Sequence, residues 1–109
     1  MFKLNISDTF TWPVEVLIPV DGGKFDKQTF DAVFKRRTKD ELAELQGRDG
    51  MTDDLFVREV LTGWAGITDG GEDVPFSDTA LAQVLAVPGV SGAIVTAYYS
   101  AVAGLKKKG

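Results

Sequence analysis

The chain of 109 residues contains no cysteine and no histidine. Without cysteine there is no disulfide to staple a small core, and no thiolate to act as nucleophile or metal ligand. Without histidine, Ser-His and Cys-His nucleophile pairs are excluded, and with them nearly all structural zinc sites. Phosphate-binding glycine patterns are missing too: Gly22-Gly23 fits neither GxGxxG nor GxxxxGK[ST] and reads as a turn. Proline is scarce, so each one marks a boundary. Pro13 and Pro19 bracket one apolar run, Pro75 closes a loop, and Pro88 ends one helix or begins the next. Residues 1–10 lack the basic start and apolar run of a secretory signal. Residues 84–105 carry no charge, but Pro88 and several glycines interrupt them and large aliphatics are few. That is not the pattern of a membrane span, and a cytosolic location is expected.

What is present is ordinary for a globular chain. Hydrophobic residues make up 44% and charged residues 26%, which is enough apolar material for one core. The length fits a single domain over residues 1–109. The net charge is −4, so non-specific nucleic-acid binding is not expected.

Along the chain, Phe2, Leu4 and Ile6 alternate in a short polar segment that reads as a frayed end or an edge strand. Val14, Val16, Ile18 and Val20 share one face of a strand, and Pro13 and Pro19 place that strand near a sheet edge. Asp21-Gly22-Gly23 turns the chain. The return strand puts Phe30, Ala32 and Phe34 on one side. Residues 12–36 therefore read as an antiparallel hairpin with one apolar face, which needs a cover.

Residues 38–105 supply that cover as about four short helices. Thr38 and Glu41 have capping-box spacing. Thr52 caps the next helix, with Asp53 and Asp54 in its first turn. Ser77 caps another, and the last runs over about residues 89–104. The expected fold class is α+β, with the hairpin packed on the helices.

The organising stretch is residues 55–77, LFVREVLTGWAGITDGGEDVPFS. Phe56, Val60 and Trp64 recur at helical spacing, and the helix is expected to break at Gly63. Trp64 and Phe76 flank an acidic glycine-rich loop. The expected structural core is Trp64, Phe76, Phe56, Val60, Phe30 and Phe34. Asp69, Glu72 and Asp73 do not have the spacing of a calcium loop and read as solvated. The basic run Lys35-Arg36-Arg37-Thr38-Lys39 gives way at once to Asp40 and Glu41, and reads as a solvated strand end or an ionic patch. No catalytic, metal or cofactor residue emerges.

Gly63-Trp64-Ala65-Gly66 at a helix end, the acidic loop, then Pro75-Phe76-Ser77, all behind an N-terminal hairpin, resemble the phage tail assembly chaperones of long-tailed phages and prophages. The resemblance runs from about residue 12 onward. It implies a non-enzymatic chaperone, without cofactor, that binds the tape measure protein and helps recruit tail tube subunits. Such a protein would work in the cytoplasm of the host bacterium and be absent from the mature virion. The alternative is a structural minor tail or head–tail joining protein retained in the particle, and a third reading is a small DNA-binding regulator. Candidate partner-binding residues lie on the last helix: Ile94, Ala97, Tyr98, Ala101 and Leu105. Small residues there (Gly92, Ala93, Ala97, Ala101, Gly104) would let another helix approach closely, and a homo-oligomer is possible. The family is commonly made in two lengths by frameshifting. Lys106, Lys107 and Lys108 are read either as such a slippery site or as a basic tail complementing the helix dipole.

Overall fold

The computed structural model describes residues 1–104. Two long strands open the fold: β1 (Thr9–Val20) and β2 (Lys24–Lys35), joined by a three-residue turn. Gly22 and Gly23 both take positive φ, +86° and +73°, which β-carbon-bearing residues resist. The hairpin is longer than the spacing of its prolines suggested, because both prolines lie inside β1.

Every expected cap forms. Thr38 Oγ1 accepts from the Glu41 N–H at 3.1 Å, and Glu41 Oε1 accepts from the Thr38 N–H at 2.9 Å, which starts α1 (Lys39–Gly47). Thr52 Oγ1 accepts from the Leu55 N–H and starts α2 (Asp53–Val60). Ser77 Oγ accepts from the Ala80 N–H and starts α3 (Asp78–Leu85). Pro88 falls between α3 and α4 (Val90–Val102), and Gly89 makes the turn at φ +89°. The α+β architecture, a hairpin with four helices, is as the sequence predicts.

The organising stretch departs from expectation at its middle. α2 stops at Val60 instead of reaching Gly63, and Leu61–Ala65 is a strand, β3. It pairs antiparallel with β2, Asp31 opposite Ala65 and Ala32 opposite Trp64, with a bulge between Val33 and Phe34. The reason is competition for hydrogen bonds. The edge of β2 offers partners to these backbone groups, and one more helical turn would leave that edge bare. Trp64 still faces the core, because it sits opposite inward-facing Ala32. The acidic loop also holds a miniature hairpin, β4 (Thr68–Asp69) and β5 (Glu72–Asp73). Gly70 and Gly71, both at positive φ, form its two-residue turn.

The main sheet has strand order β1-β2-β3. Even-numbered residues of β1 and β2 face inward: Val14, Val16, Ala32 and Phe34 are buried, while Thr11, Thr29 and Asp31 are exposed. The helices supply Leu45, Phe56, Val57, Val60, Leu81, Leu85, Val90, Ile94 and Tyr98 to the same core. At its centre the Tyr98 ring packs against Phe34 at 5.1 Å, Phe56 at 5.8 Å and Phe10 at 6.0 Å between centroids. Its hydroxyl donates to the Lys35 carbonyl at 3.0 Å and accepts from the Arg37 N–H at 3.2 Å, so burial leaves no polar atom of the ring unpaired. Burial pushes the Tyr98 phenol up, which keeps it neutral.

Of the expected core, Phe34, Val60 and Phe56 are buried, while Phe30, Trp64 and Phe76 are half-buried against it. Trp64 and Phe76 meet edge to face at 4.8 Å. The Trp64 indole N–H donates to the Val74 carbonyl at 2.7 Å, so the tryptophan clamps the β4–β5 segment to the sheet.

Candidate partner-binding surface

The last helix divides into an inner and an outer face. Ile94 and Tyr98 are fully buried, so the fold spends them on the core and leaves neither for a partner. The physical reason is the aromatic box of Phe10, Phe34 and Phe56 that closes around Tyr98. Ala97 and Ala101 are half-buried, and Leu105 lies outside the described residues, as do Lys106, Lys107 and Lys108.

Ala97 belongs to an open cleft of about 500 Å³ between α4 and the edge of β1. Its helix wall is Gly89, Gly92, Ala93, Thr96, Ala97 and Ser100, one face at i, i+3, i+4, i+7, i+8 and i+11. The opposite wall is Trp12, Pro13, Glu15 and Leu17, and Leu17 is 55% exposed. Glu15 is ion-paired with Lys27 at 3.0 Å. The small side chains of α4 leave the cleft broad and mostly apolar.

The edge of β1 limits what that cleft can hold. The Arg36 N–H donates to the Asp8 carbonyl at 2.7 Å, which continues the β1–β2 register and shows that even-numbered residues of β1 bond toward β2. Odd-numbered residues then point their backbone outward. Pro13 and Pro19 are both odd-numbered, so each places a ring where an added strand would need a donor. This edge resists strand pairing and suits a helix.

The basic run is largely engaged within the protein. Arg37 Nη2 donates to the Glu59 carbonyl at 2.7 Å, and its guanidinium ion-pairs with Glu41 and Glu59, both at 3.3 Å. Arg37 Nε is buried without a partner. Arg36 sits over the Phe10 ring at 4.9 Å and donates to the Ser7 carbonyl at 2.8 Å. Arg48 joins Glu44 at 2.7 Å, which holds the Glu44 carboxyl below its ordinary range and pushes the Arg48 guanidinium up. The arrangement ties the hairpin's root to α1 and α2.

Among the described residues, no cluster of three or more Asp or Glu side chains is placed to hold a metal ion. Among them, no single helix is long and apolar enough to cross a membrane; α3 and α4 together meet that test of length and composition, but bend by 102°.

A family model described as phage tail assembly chaperone matches residues 1–109, the whole chain. No curated protein and no solved structure matches it.

Proposed function

The chain belongs to the phage tail assembly chaperone family, and on that premise we propose that it shields an apolar helical segment of the tape measure protein in the cleft between β1 and α4. In this reading it is a non-enzymatic chaperone. It acts in the host cytoplasm, helps bring tail tube subunits to the tape measure protein, and leaves before the particle is complete.

The observation that carries the reading is the cleft itself. A wall of small residues, glycine, alanine and serine with Thr96, lets a helix backbone approach closely, while Trp12 and Leu17 offer apolar contacts on the other side. Helix-in-groove recognition needs this combination of a broad apolar trough and side-chain anchors. Pro13 and Pro19 disfavour the competing mode, strand addition.

Ala97→Glu places a charge in the trough, and Ala97 is only half-buried, so the fold should survive. Titration calorimetry with a purified tape measure fragment should show at least about a tenfold loss of affinity, since burying an unpaired carboxylate is costly. Unchanged affinity in a folded variant would remove the cleft from the proposal. Mass spectrometry of purified particles addresses the role: stoichiometric amounts in the virion would make the protein a structural tail component instead.

A further inference from the structure

The opposite side of the hairpin carries a second groove, of about 520 Å³, and among the described residues no element fills it. Its origin is local. β3 pairs with β2 only from Asp31 to Phe34. Gly66, at φ +87°, then swings the chain away beside Phe30. Residues 24–30 of β2 are left paired with β1 on one side and, among the described residues, with no strand on the other. The backbone of Asp31 and Val33 bonds toward β3, so by alternation that of Phe25, Lys27 and Thr29 points away from β1 at this open edge, and Thr29 lines the groove. This edge carries no proline. The groove's floor is apolar, with Val16, Ile18, Phe30, Val84 and Val87. Its far wall is β4, Thr68 and exposed Asp69, with exposed Glu72 and Asp73 paired beside them on β5.

A segment with a strand's alternation lies outside every sheet elsewhere in the same chain, turned where the Ile6 N–H donates to the Leu4 carbonyl at 3.0 Å. Phe2, Leu4 and Ile6 alternate, and they are 84%, 86% and 56% exposed. Arg36 holds the root of this segment at the Ser7 carbonyl, and the residues before it stand away from the core. When extended, Phe2, Leu4 and Ile6 share one face, with Lys3 and Asn5 on the other. The segment carries Lys3 and no carboxylate before Asp8, which complements the acidic wall.

We propose that residues 2–6 of one copy add as a strand to the open edge of β2 in a second copy. The apolar face of the segment turns into the groove, its backbone pairs with Phe25, Lys27 and Thr29, and its positive charge suits the neighbouring acidic hairpin. The chain's own groove is out of reach. Ile6 lies three residues before Thr9, a reach of about 10 Å. Phe30 is five residues up β2 from Lys35, which sits opposite Thr9, so the groove begins about 17 Å along the sheet and about 10 Å across it. Donor and acceptor surfaces differ, so the contact is heterologous and can repeat from copy to copy.

The test uses two broken proteins. Phe2→Asp with Leu4→Asp removes the donor strand and leaves the groove. Lys27→Pro removes an outward donor from the open edge and spares the β1–β2 backbone ladder, losing only the Lys27–Glu15 ion pair; Val87→Asp, at an exposed groove residue, is the second acceptor variant should the proline disturb the hairpin. Circular dichroism confirms that each is folded. In sedimentation velocity over a hundredfold concentration range, the wild type should associate and each variant alone should stay monomeric. An equimolar mixture of donor-dead and acceptor-dead proteins should form a one-to-one complex through the single intact junction. A wild type that stays monomeric throughout, or a mixture that does not pair, overturns the proposal.

Discussion

The two long edges of the hairpin face opposite fates. Along β1, Pro13 and Pro19 point outward and bar a strand, and the neighbouring α4 wall is pared down to glycine, alanine, serine and one threonine. Along the upper half of β2 no proline occurs, β3 stops short, and an apolar groove lies open beside the backbone. The same hairpin is thus closed to strands on one side and open to them on the other. Natural sheets blunt their edges to avoid uncontrolled pairing. The open edge of β2 is guarded only by the charges of Lys24, Asp26 and Lys27, so the groove beside it calls for an account of what it receives. The difference rests on a parity: both prolines of β1 are odd-numbered, on the side that faces away from β2.

The largest expected effect comes from removing the clamp that holds one wall of the open side. Trp64 pins the β4–β5 segment by its edge-to-face contact with Phe76 and its hydrogen bond to Val74. Trp64→Ala should cost about 2–4 kcal/mol in chemical denaturation, below the range of a fully buried tryptophan because the ring is half-exposed. Trp64→Phe keeps the ring packing and loses the hydrogen bond, and should cost only about 1 kcal/mol. Under conditions where Trp64→Ala remains folded, association through the β2 edge should fall while binding of a tape measure fragment at the β1–α4 cleft persists. Loss of both together would mean that the two sides are not independent.

The second test erases the contrast. Pro13→Val with Pro19→Val restores two outward donors to β1. The stability cost should stay below about 1 kcal/mol per site, arising mainly from a freer unfolded chain. The expected change is in behaviour. Light scattering should show concentration-dependent assembly beyond that of the wild type, because both edges now accept strands. A variant that scatters like the wild type would show that α4, and not the prolines, protects this edge.

Much of this was legible in the sequence, for physical reasons that also explain the gaps. Caps are local: Thr38, Thr52 and Ser77 each bond to a backbone N–H three residues on, so neighbouring residues suffice to predict them. The hairpin's inner face follows from alternation and is seen in Phe30, Ala32 and Phe34. β3 was hidden because Phe56, Val60 and Trp64 satisfy a helical period, and only the edge of β2, some thirty residues earlier, makes a strand the better choice. β4 and β5 are two residues each, too short for any period to register. On α4 the apolar and small-residue stripes were both visible, but not which one turns inward. Tyr98 is claimed by Phe10, Phe34 and Phe56, all distant in sequence, and Ile94 belongs to the same core. Of the candidate contact residues among those described, only Ala97 lines the cleft, and Trp12 and Leu17 on its other wall were not marked by any motif. The two prolines were visible as boundaries; their shared outward direction needed the register.

The smallest expected effect lies at the hairpin's root, away from both edges, and so serves as a control on the comparison. Glu41 is exposed, and its carboxyl is held below its ordinary range, first by the Thr38 backbone N–H, then by the Thr38 side chain and Arg37. A carboxylate with a depressed folded-state pKa adds stability above its unfolded value, and loses it as pH falls through the folded one. Glu41→Gln keeps a capping-box acceptor but has no charge to lose. The wild type should therefore be slightly the more stable near pH 7. The gap should close as acid protonates Glu41, since a protonated glutamate and a glutamine then offer nearly the same hydrogen bonds. Urea denaturation from pH 7 down to about pH 3 reads this directly. A gap that stays constant over the whole range would mean that the charge of Glu41 contributes nothing and that the cap works through hydrogen bonding alone. Neither association at the β2 edge nor binding in the β1–α4 cleft should change at neutral pH. If either did, the root of the hairpin would be coupled to its edges, and the two sides could no longer be treated as separate devices on one scaffold.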